Sequence, residues 1–235
     1  MGKPPRQQGR HHHGRARGSH PASGERLRSE IAQLAARFLA DGEAENLGDA
    51  KRRAAERLGV RDARELPDNL AVLGAIVEYQ RIFESDTAPS RLAHLRQVAL
   101  QAMHALAEFE PRLVGPVLYG TAFDHTPVTL HLHCDEAEAV MRRLLALRVP
   151  FRAEERPLRT SRHATENVPA LLTMLEDVEL ELLVLVRQRL ANPPISPLDG
   201  GVYRRLDATG LAALLDSPDA GEPLPDIAAL ATPTW

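Results

Sequence analysis

The feature that most constrains this chain is a change in the spacing of its apolar residues near Pro111. Before that point, apolar residues recur every three or four positions, which is typical of amphipathic helices. After it, they alternate with polar residues or form short runs, which is typical of β-strands. The sequence therefore predicts a helical part followed by a sheet, and 235 residues are enough to bury a sizeable core.

The helical part is predicted to fold as a small subdomain over residues 25–86. Its apolar stripes indicate three short helices that cover one another, and the third is expected to bury Phe83. Asp49 is a good N-cap for the second helix, because its carboxylate accepts free backbone N–H groups, and the third helix is expected to start near Asp68. We expect the helices over 27–41, 49–58 and 68–88.

The sheet part is predicted over residues 90–216 and begins with a helix. The following elements have the order strand, strand, helix, strand, strand, strand, which favours an α+β fold with helices on one face of the sheet. Asp135 and Glu138 have the spacing of a capping box for the middle helix. The expected strands are 113–119, 128–134, 151–155, 170–175 and 178–186, with a hairpin turn at Glu176 and Asp177, a last helix at 209–215 and a loose tail at 217–235.

The strand at 128–134 has the clearest alternation in the chain. Its apolar positions are predicted to face the core, and its polar positions share the opposite face, because successive side chains of a strand point to opposite sides. We expect that polar face to meet water, as is common for antiparallel and mixed sheets. The polar positions are Thr129, His131 and His133.

Charge is distributed unevenly along the chain. The formal net charge is −3, yet residues 1–24 hold five Lys or Arg and no acidic residue, which leaves 24 basic and 32 acidic residues in the body, a balance of −8. The basic start is rich in Gly and Pro and cannot bury enough apolar surface to order itself, so it is predicted to be a disordered tail. Such a tail can contact nucleic acid through phosphates, but the acidic body disfavours nucleic acid as the main partner.

The cellular compartment is predicted from the low number of cysteines and from the lack of long apolar runs. Its single cysteine, Cys134, excludes an internal disulfide framework and fits a reducing compartment. No apolar run approaches the ~18 residues of a membrane span, and the first 24 residues lack the apolar run of a signal peptide. We therefore expect a cytoplasmic protein with no membrane contact.

Residues 113–135 resemble the polymerase-beta-like nucleotidyltransferase superfamily. Its members have a helix, a strand ending in a hydrophobic residue, Gly and Ser, then a short loop and a strand with Asp-x-Asp or Asp-x-Glu. The resemblance extends over about residues 90–190 and implies a divergent, bacterial-type member with a mixed β-sheet. The matching stretches are Val117-Leu118-Tyr119-Gly120-Thr121, the loop 122–126, and Pro127-Val128-Thr129-Leu130.

The chain departs from that family at the positions that matter most for catalysis. The family's paired carboxylates hold two divalent metals, which align the triphosphate and activate the attacking hydroxyl. Pro127 and Thr129 stand at the two carboxylate positions. Proline has no ligand atom and threonine has no charge, whereas Mg²⁺ needs carboxylate oxygens to offset its dehydration. The resemblance therefore implies a fold with degenerate metal-binding carboxylates.

Six residues are predicted to line any remaining ligand pocket. Gly120 would allow close approach of a phosphate to the backbone, and Thr121 would offer a hydroxyl. The other four would line the floor of the cleft if the strand at 178–186 lies beside the strand at 128–134. They are Thr129, His131, His133 and Glu181.

The same pair of strands offers an alternative. Two imidazoles and two carboxylates on one sheet face are a ligand set suited to Zn²⁺ or another transition metal. We weigh this set against an ordinary polar face that meets water, and we predict no metal site. The residues concerned are His131, His133, Glu179 and Glu181.

These observations predict a catalytically degenerate nucleotidyltransferase-like protein that binds a small molecule or a protein and needs no cofactor. One alternative is an active, metal-dependent nucleotidyltransferase in which displaced carboxylates, such as Asp124, hold Mg²⁺. A second alternative is a protein-interaction module formed by the helices of residues 25–86.

Overall fold

A computed structural model of the protein describes residues 21–161 and 163–231, so residues 1–20 of the predicted disordered tail and residues 232–235 lie outside it. Within the described residues there are nine α-helices and a five-stranded sheet, which confirms the predicted α+β class. None of these helices has the length and apolarity needed to cross a bilayer. The elements are α1 (Pro21–Ala40), α2 (Leu47–Arg57), α3 (Asn69–Phe83), α4 (Ala88–Ala105), β1 (Arg112–Val114), α5 (Gly115–Tyr119), β2 (Val128–His133), α6 (Ala137–Ala146), β3 (Phe151–Arg159), β4 (Thr165–Leu175), β5 (Val178–Leu185), α7 (Gln188–Ala191), α8 (Ala208–Leu215) and α9 (Pro225–Ala228).

Helices α1, α2 and α3 pack together as the predicted N-terminal helical region. Their core consists largely of small alanine side chains, which let helices approach one another closely, and Ile31, Ala35 and Ala50 are completely buried. Phe123, from the loop before β2, also belongs to this core. The helical region therefore contacts the sheet part directly.

Helix α3 begins as predicted but ends differently. Asp68 is its N-cap, and the Asp68 carboxylate accepts the N–H of Ala71 at 2.7 Å. The helix ends at Phe83, earlier than expected, and Phe83 is 70 % exposed, so its predicted burial is wrong. Its ring contacts only the edge of the helical region, with its centroid 4.9 Å from that of Tyr79.

The predicted N-caps of α2 and α6 are both wrong. The cap of α2 is Asn46, whose side chain accepts the N–H of Asp49 at 3.0 Å, so Asp49 lies inside the helix. Asp135 does not cap α6, because its carboxylate accepts the N–H of Arg187 at 3.0 Å. In both places a competing hydrogen-bond partner decided the local structure.

The sheet has the strand order β1, β2, β5, β4, β3. Strands β2 and β5 are parallel, with Thr129 opposite Glu181, and the other neighbouring pairs are antiparallel. The hairpin of β4 and β5 turns at Glu176 and Asp177 as predicted, and both residues have positive φ, 48° and 63°. Those values match the two-residue turn that suits the twist of a hairpin. Strands β3 and β4 are longer than predicted because they pair with each other along their whole length.

The main core lies between one face of the sheet and helices α4, α6 and α8. The apolar positions of β2 point into it as predicted, and Val128, Leu130 and Leu132 are completely buried. Val140 of α6 and Leu211 of α8 are also completely buried there. The alternation of β2 thus decides which face of the sheet carries the helices.

Residues 113–119 do not form the predicted strand. Strand β1 ends at Val114, and α5 follows at once with Pro116 in its first turn. A short apolar run fits either a buried strand or a buried helical turn. Pro116 favours the helix, because its fixed φ suits the first turn and its missing N–H is not needed there.

The polar face of β2 was expected to meet water, but in the structure His131 and His133 on this second face of the sheet are buried. Residues 188–206, here called the covering segment, include α7, and Tyr203 of this segment packs against an apolar cluster formed by β3, β4 and β5. Tyr203 of this segment packs on His131, with ring centroids 5.1 Å apart. Arg205 donates to the carbonyl groups of Arg189 and Leu190, at 3.3 and 3.0 Å, and so ties the two ends of the segment together.

Residues 217–231, here called the C-terminal segment, do not form the loose tail that was expected. The N–H of Leu224 donates to the carbonyl of Tyr119 at 3.1 Å. The segment also presses on α3, where a Cβ added to Gly74 would lie 2.7 Å from the carbonyl oxygen of Leu230. The C-terminal segment therefore joins the sheet part to the helical region.

Arg96 of α4 attaches this segment. The residue is completely buried, and it makes no ion pair with any described residue. Burial lowers the pKa of Arg96 to about 10, so the guanidinium is still charged at neutral pH. Backbone carbonyl groups compensate that charge. They belong to Val117 and Leu118 (3.2 and 3.1 Å) and to Asp219, Ala220 and Glu222 (3.3, 2.8 and 3.0 Å).

We expect Arg96→Leu to lower the free energy of unfolding by about 3 kcal/mol, because it leaves several carbonyl groups without a donor. Urea denaturation measures this change. The control is Arg142→Leu on the surface of α6, where the side chain is 67 % exposed. That variant should stay within about 0.5 kcal/mol of the unmodified protein. An equally small loss in Arg96→Leu would contradict the anchoring role.

Candidate functional site

The six residues predicted to line one pocket do not come together. Thr129 and Glu181 are partly exposed on the second face of the sheet. His131 and His133 are buried under the covering segment. Gly120 and Thr121 lie under the C-terminal segment.

Thr129 and Glu181 lie side by side on β2 and β5, so the condition that these two strands are neighbours is met. Thr129 Oγ1 is 3.4 Å from Glu181 Oε2, which is a weak hydrogen bond. The other carboxylate oxygen of Glu181 accepts a hydrogen bond from Arg156 Nε at 2.9 Å, and Arg156 also pairs with Glu154. These four residues, here called the outer-face group, form a half-exposed network of two carboxylates, one guanidinium and one hydroxyl.

Arg156 reaches Glu181 from β3 across the intervening strand β4. Ala170 of β4 pairs with both Glu154 and Leu183, and its small side chain leaves room for the long stem of Arg156. Hydrogen bonds to Glu154 and Glu181 raise the pKa of Arg156, and the same contact lowers the pKa of Glu154. The group therefore holds a permanent positive charge beside Glu181.

His131 and His133 are completely buried. His133 Nδ1 donates to the carbonyl of Glu110 at 2.9 Å, whereas neither ring nitrogen of His131 has a partner in the described part of the chain. Burial lowers the pKa of His131 to about 3, and the neighbouring His133 and Arg205 act in the same direction. Burial also lowers the pKa of His133. Both rings are therefore neutral at neutral pH and do not line a solvent-filled cleft.

The four residues weighed as a transition-metal set do not converge. In the parallel register of β2 and β5, Leu183 lies opposite His131, so Glu181 is level with Thr129 instead. Glu179 lies earlier on β5 and is exposed. Within the described residues, no three His, Cys, Asp or Glu side chains are placed to share a metal ion.

Gly120 makes the close backbone contact expected of it, but with protein. Its φ is +86°, and an added Cβ would lie 2.3 Å from Pro223 Cα. Thr121 is buried, and its N–H donates to the carbonyl of Pro116 at 2.9 Å. The C-terminal segment therefore occupies the space beside the backbone of Gly120 where a Cβ would lie.

The two positions where the resembled family has carboxylates lie at the start of β2. Pro127 directly precedes this strand, and Thr129 belongs to the outer-face group. Gly115, which follows β1, has open space where its Cβ would be, unlike Gly120.

Comparison of the chain with family models, with curated proteins and with solved structures gives no match.

Three residues of these environments were missed by the sequence reasoning. Arg156 had a usable signal, because Glu154 and Arg156 are two positions apart and so share a strand face. Tyr203 and Arg205 had none, since they reach the histidines from a segment with little regular structure that is far away in sequence. Only the folded chain shows what covers β2.

We expect Gly120→Ala to destabilise the protein more than Gly115→Ala. The two glycines have similar positive φ values, 86° and 76°, so both variants carry the same backbone penalty of about 1 kcal/mol. Only Gly120→Ala must also displace Pro223, which should add about 2 kcal/mol in urea unfolding. Equal losses in the two variants would show that Pro223 does not press on Gly120.

We expect burial of His131 to make the protein acid-sensitive. The unfolded chain binds a proton at this ring below its ordinary pKa of 6.5, whereas the folded chain does not until about pH 3. The unfolded state therefore gains protons as the pH falls through this window, and stability decreases by up to about 1.4 kcal/mol per pH unit from this residue.

The measurement is urea unfolding at intervals between pH 7 and pH 4, for the unmodified protein and for His131→Leu. Carboxylates titrate in both proteins, so the difference between the two curves isolates the histidine. The control is His94→Leu in α4, where the imidazole is exposed. Parallel curves for the unmodified protein and His131→Leu would refute the effect.

Proposed function

We propose that this protein is a nucleotidyltransferase-like binding protein that does not transfer nucleotides. The observation that carries the proposal is the ion pair of Arg156 with Glu181 beside Thr129. At the positions of the resembled family's carboxylates the chain has Pro127 and Thr129. The carboxylate next to them is already neutralised by a guanidinium, with which a divalent cation would have to compete.

The order of elements around this group supports the proposal. Helix α4 precedes β1, α5 and a loop lie between β1 and β2, and β5 returns to lie parallel beside β2. The order helix, strand, loop and strand agrees with the resemblance, although α5 stands where the resemblance placed the end of the first strand. The fold would thus be kept while the metal ligands are replaced.

The outer-face group can recognise a polar ligand without a metal. Arg156 offers guanidinium N–H donors, and Glu154 and Glu181 offer acceptors. The nearby Tyr203 stays a neutral hydroxyl, because burial raises its pKa to about 12, as do the neighbouring Tyr119 and Glu181. Donors and acceptors at fixed positions suit a polar small molecule or a protein surface with paired charges.

The two alternatives stay predictions. For an active transferase, the displaced carboxylate Asp124 is 87 % exposed, and it pairs with Arg91 of α4 at 3.1 Å instead of lying beside Thr129. For a helical interaction module, Ile82 and Phe83 are 56 % and 70 % exposed at the end of α3. We also propose a cytoplasmic location, which rests on the composition of the chain.

We expect no transfer of label when the purified protein is incubated with α-labelled ATP, CTP, GTP or UTP and Mg²⁺ or Mn²⁺. Binding is measured separately by thermal shift, with and without metal. A triphosphate at ten times its Kd should raise Tm by about 3 °C, and the shift should not need a metal. Any Mg²⁺-dependent labelled product would overturn the proposal.

The outer-face group is tested with Arg156→Gln. We expect this variant to lose any ligand-dependent shift of Tm, because it removes the cation but keeps a polar side chain of similar length. The matched control is Arg142→Gln in α6, an exposed arginine outside the group. If no triphosphate shifts Tm of the unmodified protein, a polar patch of this kind points to a protein as the partner.

A further inference from the structure

Two histidine side chains are buried under the covering segment with three of their four ring nitrogens unpaired. His131 is completely buried, and neither its Nδ1 nor its Nε2 has a partner among the described residues. His133 is equally buried, and only its Nδ1 is paired, with the carbonyl of Glu110. Buried polar groups normally have partners. Closure over this pair of rings therefore costs free energy even when both rings are neutral.

The charged groups that face these rings are mainly basic. Arg112 of β1 lies opposite His131 in the strand register, whereas Leu183, opposite His131 on β5, carries no charge. Arg205 of the covering segment is close enough to act on both rings. The two histidines also share one face of β2. A proton on either ring therefore adds a positive charge next to other positive charges.

The carboxylates around this site are shared with arginines. Glu110, which precedes β1, pairs with Arg187 at 3.7 Å. Glu181 of the outer-face group pairs with Arg156 at 2.9 Å. The closed structure therefore compensates a protonated imidazole only in part, whereas water would solvate it fully.

The part of the covering segment next to His131 is a small loop that closes on itself. The N–H of Tyr203 donates to the carbonyl of Pro194 at 3.0 Å. Ile195 and Val202 also pair in an antiparallel bridge. Residues 194–203, here called the cover loop, can therefore move as a unit without losing these internal hydrogen bonds.

The cover loop is attached to the body of the protein through individual contacts. The N–H of Ile195 donates to the carbonyl of Arg159 at the end of β3, at 2.8 Å. Asn69 Nδ2 donates to the carbonyl of Pro197 at 2.6 Å, and Tyr203 packs on the apolar cluster of β3, β4 and β5. A surface loop held in this way opens at a lower free energy than the whole protein unfolds.

We infer that the cover loop is an acid-operated cover, which leaves the sheet when His131 and His133 take up protons. In the open state the imidazolium groups meet water, whereas the closed state holds them beside Arg112 and Arg205. Opening uncovers the apolar cluster on which Tyr203 packs, so this apolar face becomes accessible only in acid. The switch needs no nucleotide, and it therefore holds or fails independently of the proposed function.

Protons favour the open state because they bind the open state more tightly. The ring of His131 has its ordinary pKa of 6.5 in water and a pKa of about 3 when covered. From His131 alone, the equilibrium constant for opening should rise about 25-fold between pH 7 and pH 5. Burial also lowers the pKa of His133, which adds to the rise.

The experiment is backbone amide hydrogen exchange of the ¹⁵N-labelled full chain at pH 7, 6 and 5, followed by two-dimensional NMR. Rates are corrected for the pH dependence of the chemical exchange step. The reporter is the N–H of Ile195, which is freed when the cover loop leaves β3. We expect its protection to fall at least about 25-fold from pH 7 to pH 5, and to stay below that of Leu182 at the centre of the sheet.

Two pairs of variants test the assignment to His131. In His131→Leu the fall in protection should shrink to less than about fivefold, whereas His94→Leu, at an exposed histidine of α4, should keep it. Tyr203→Ala removes the ring that covers His131, so the pKa of this imidazole, read from its ring signals, should rise toward 6.5. Tyr79→Ala in α3 should leave that pKa unchanged.

Three results would overturn the inference. The first is equal protection of Ile195 and Leu182 at every pH, because the cover loop would then open only with global unfolding. The second is a fall in protection that is as large in His131→Leu as in the unmodified protein. The third is an unchanged pKa of His131 in Tyr203→Ala, and this result decides the matter by itself should His131→Leu not fold.

Discussion

The interaction on which most of this structure depends is the contact of one buried guanidinium with backbone carbonyl groups. Arg96 binds α5 on one side and the C-terminal segment on the other, so two distant parts of the chain share a single cation. The position of α5 sets the turn at Gly120, and the C-terminal segment closes over that turn. The same segment then reaches α3, where Leu230 lies against Gly74. The helical region and the sheet part are thereby held as one body.

Local patterns predicted what local interactions decide. The alternation of β2 correctly assigned its core face, because successive side chains of a strand point to opposite sides and only one side of β2 carries a continuous row of apolar residues. The hairpin at Glu176 and Asp177 and the start of α3 near Asp68 were also predicted, since each depends on residues adjacent in sequence. Of the site, the sequence indicated only that Thr129 and Glu181 would share one surface if their strands are neighbours, and in the structure these strands are neighbours.

The rest depended on residues that are far apart in sequence. Whether His131 meets water is decided by Tyr203, and nothing in the sequence near β2 indicates that covering contact. The four residues weighed as an alternative metal set do not converge, because that set depends on the register of β5 against β2, which places Leu183 opposite His131. Arg96 did leave a trace, as an arginine between the buried Leu92 and Ala99 of one helix. A charged residue on an apolar stripe indicates an anchor only when its partners are known.

The parallel pairing of β2 with β5 has a consequence for how the chain reaches its fold. Thr129 and Glu181 are 52 positions apart, whereas β3, β4 and β5 are linked by short turns and can pair by contacts nearby in sequence. Long-range pairing costs loop-closure entropy before its contacts form, so the pairing of β2 with β5 forms late. Until β2 arrives, the inner edge of β5 presents unpaired N–H and C=O groups beside Leu182 and Val184. During that interval another nascent chain can add its own strand there, and the yield of native protein is then set by concentration.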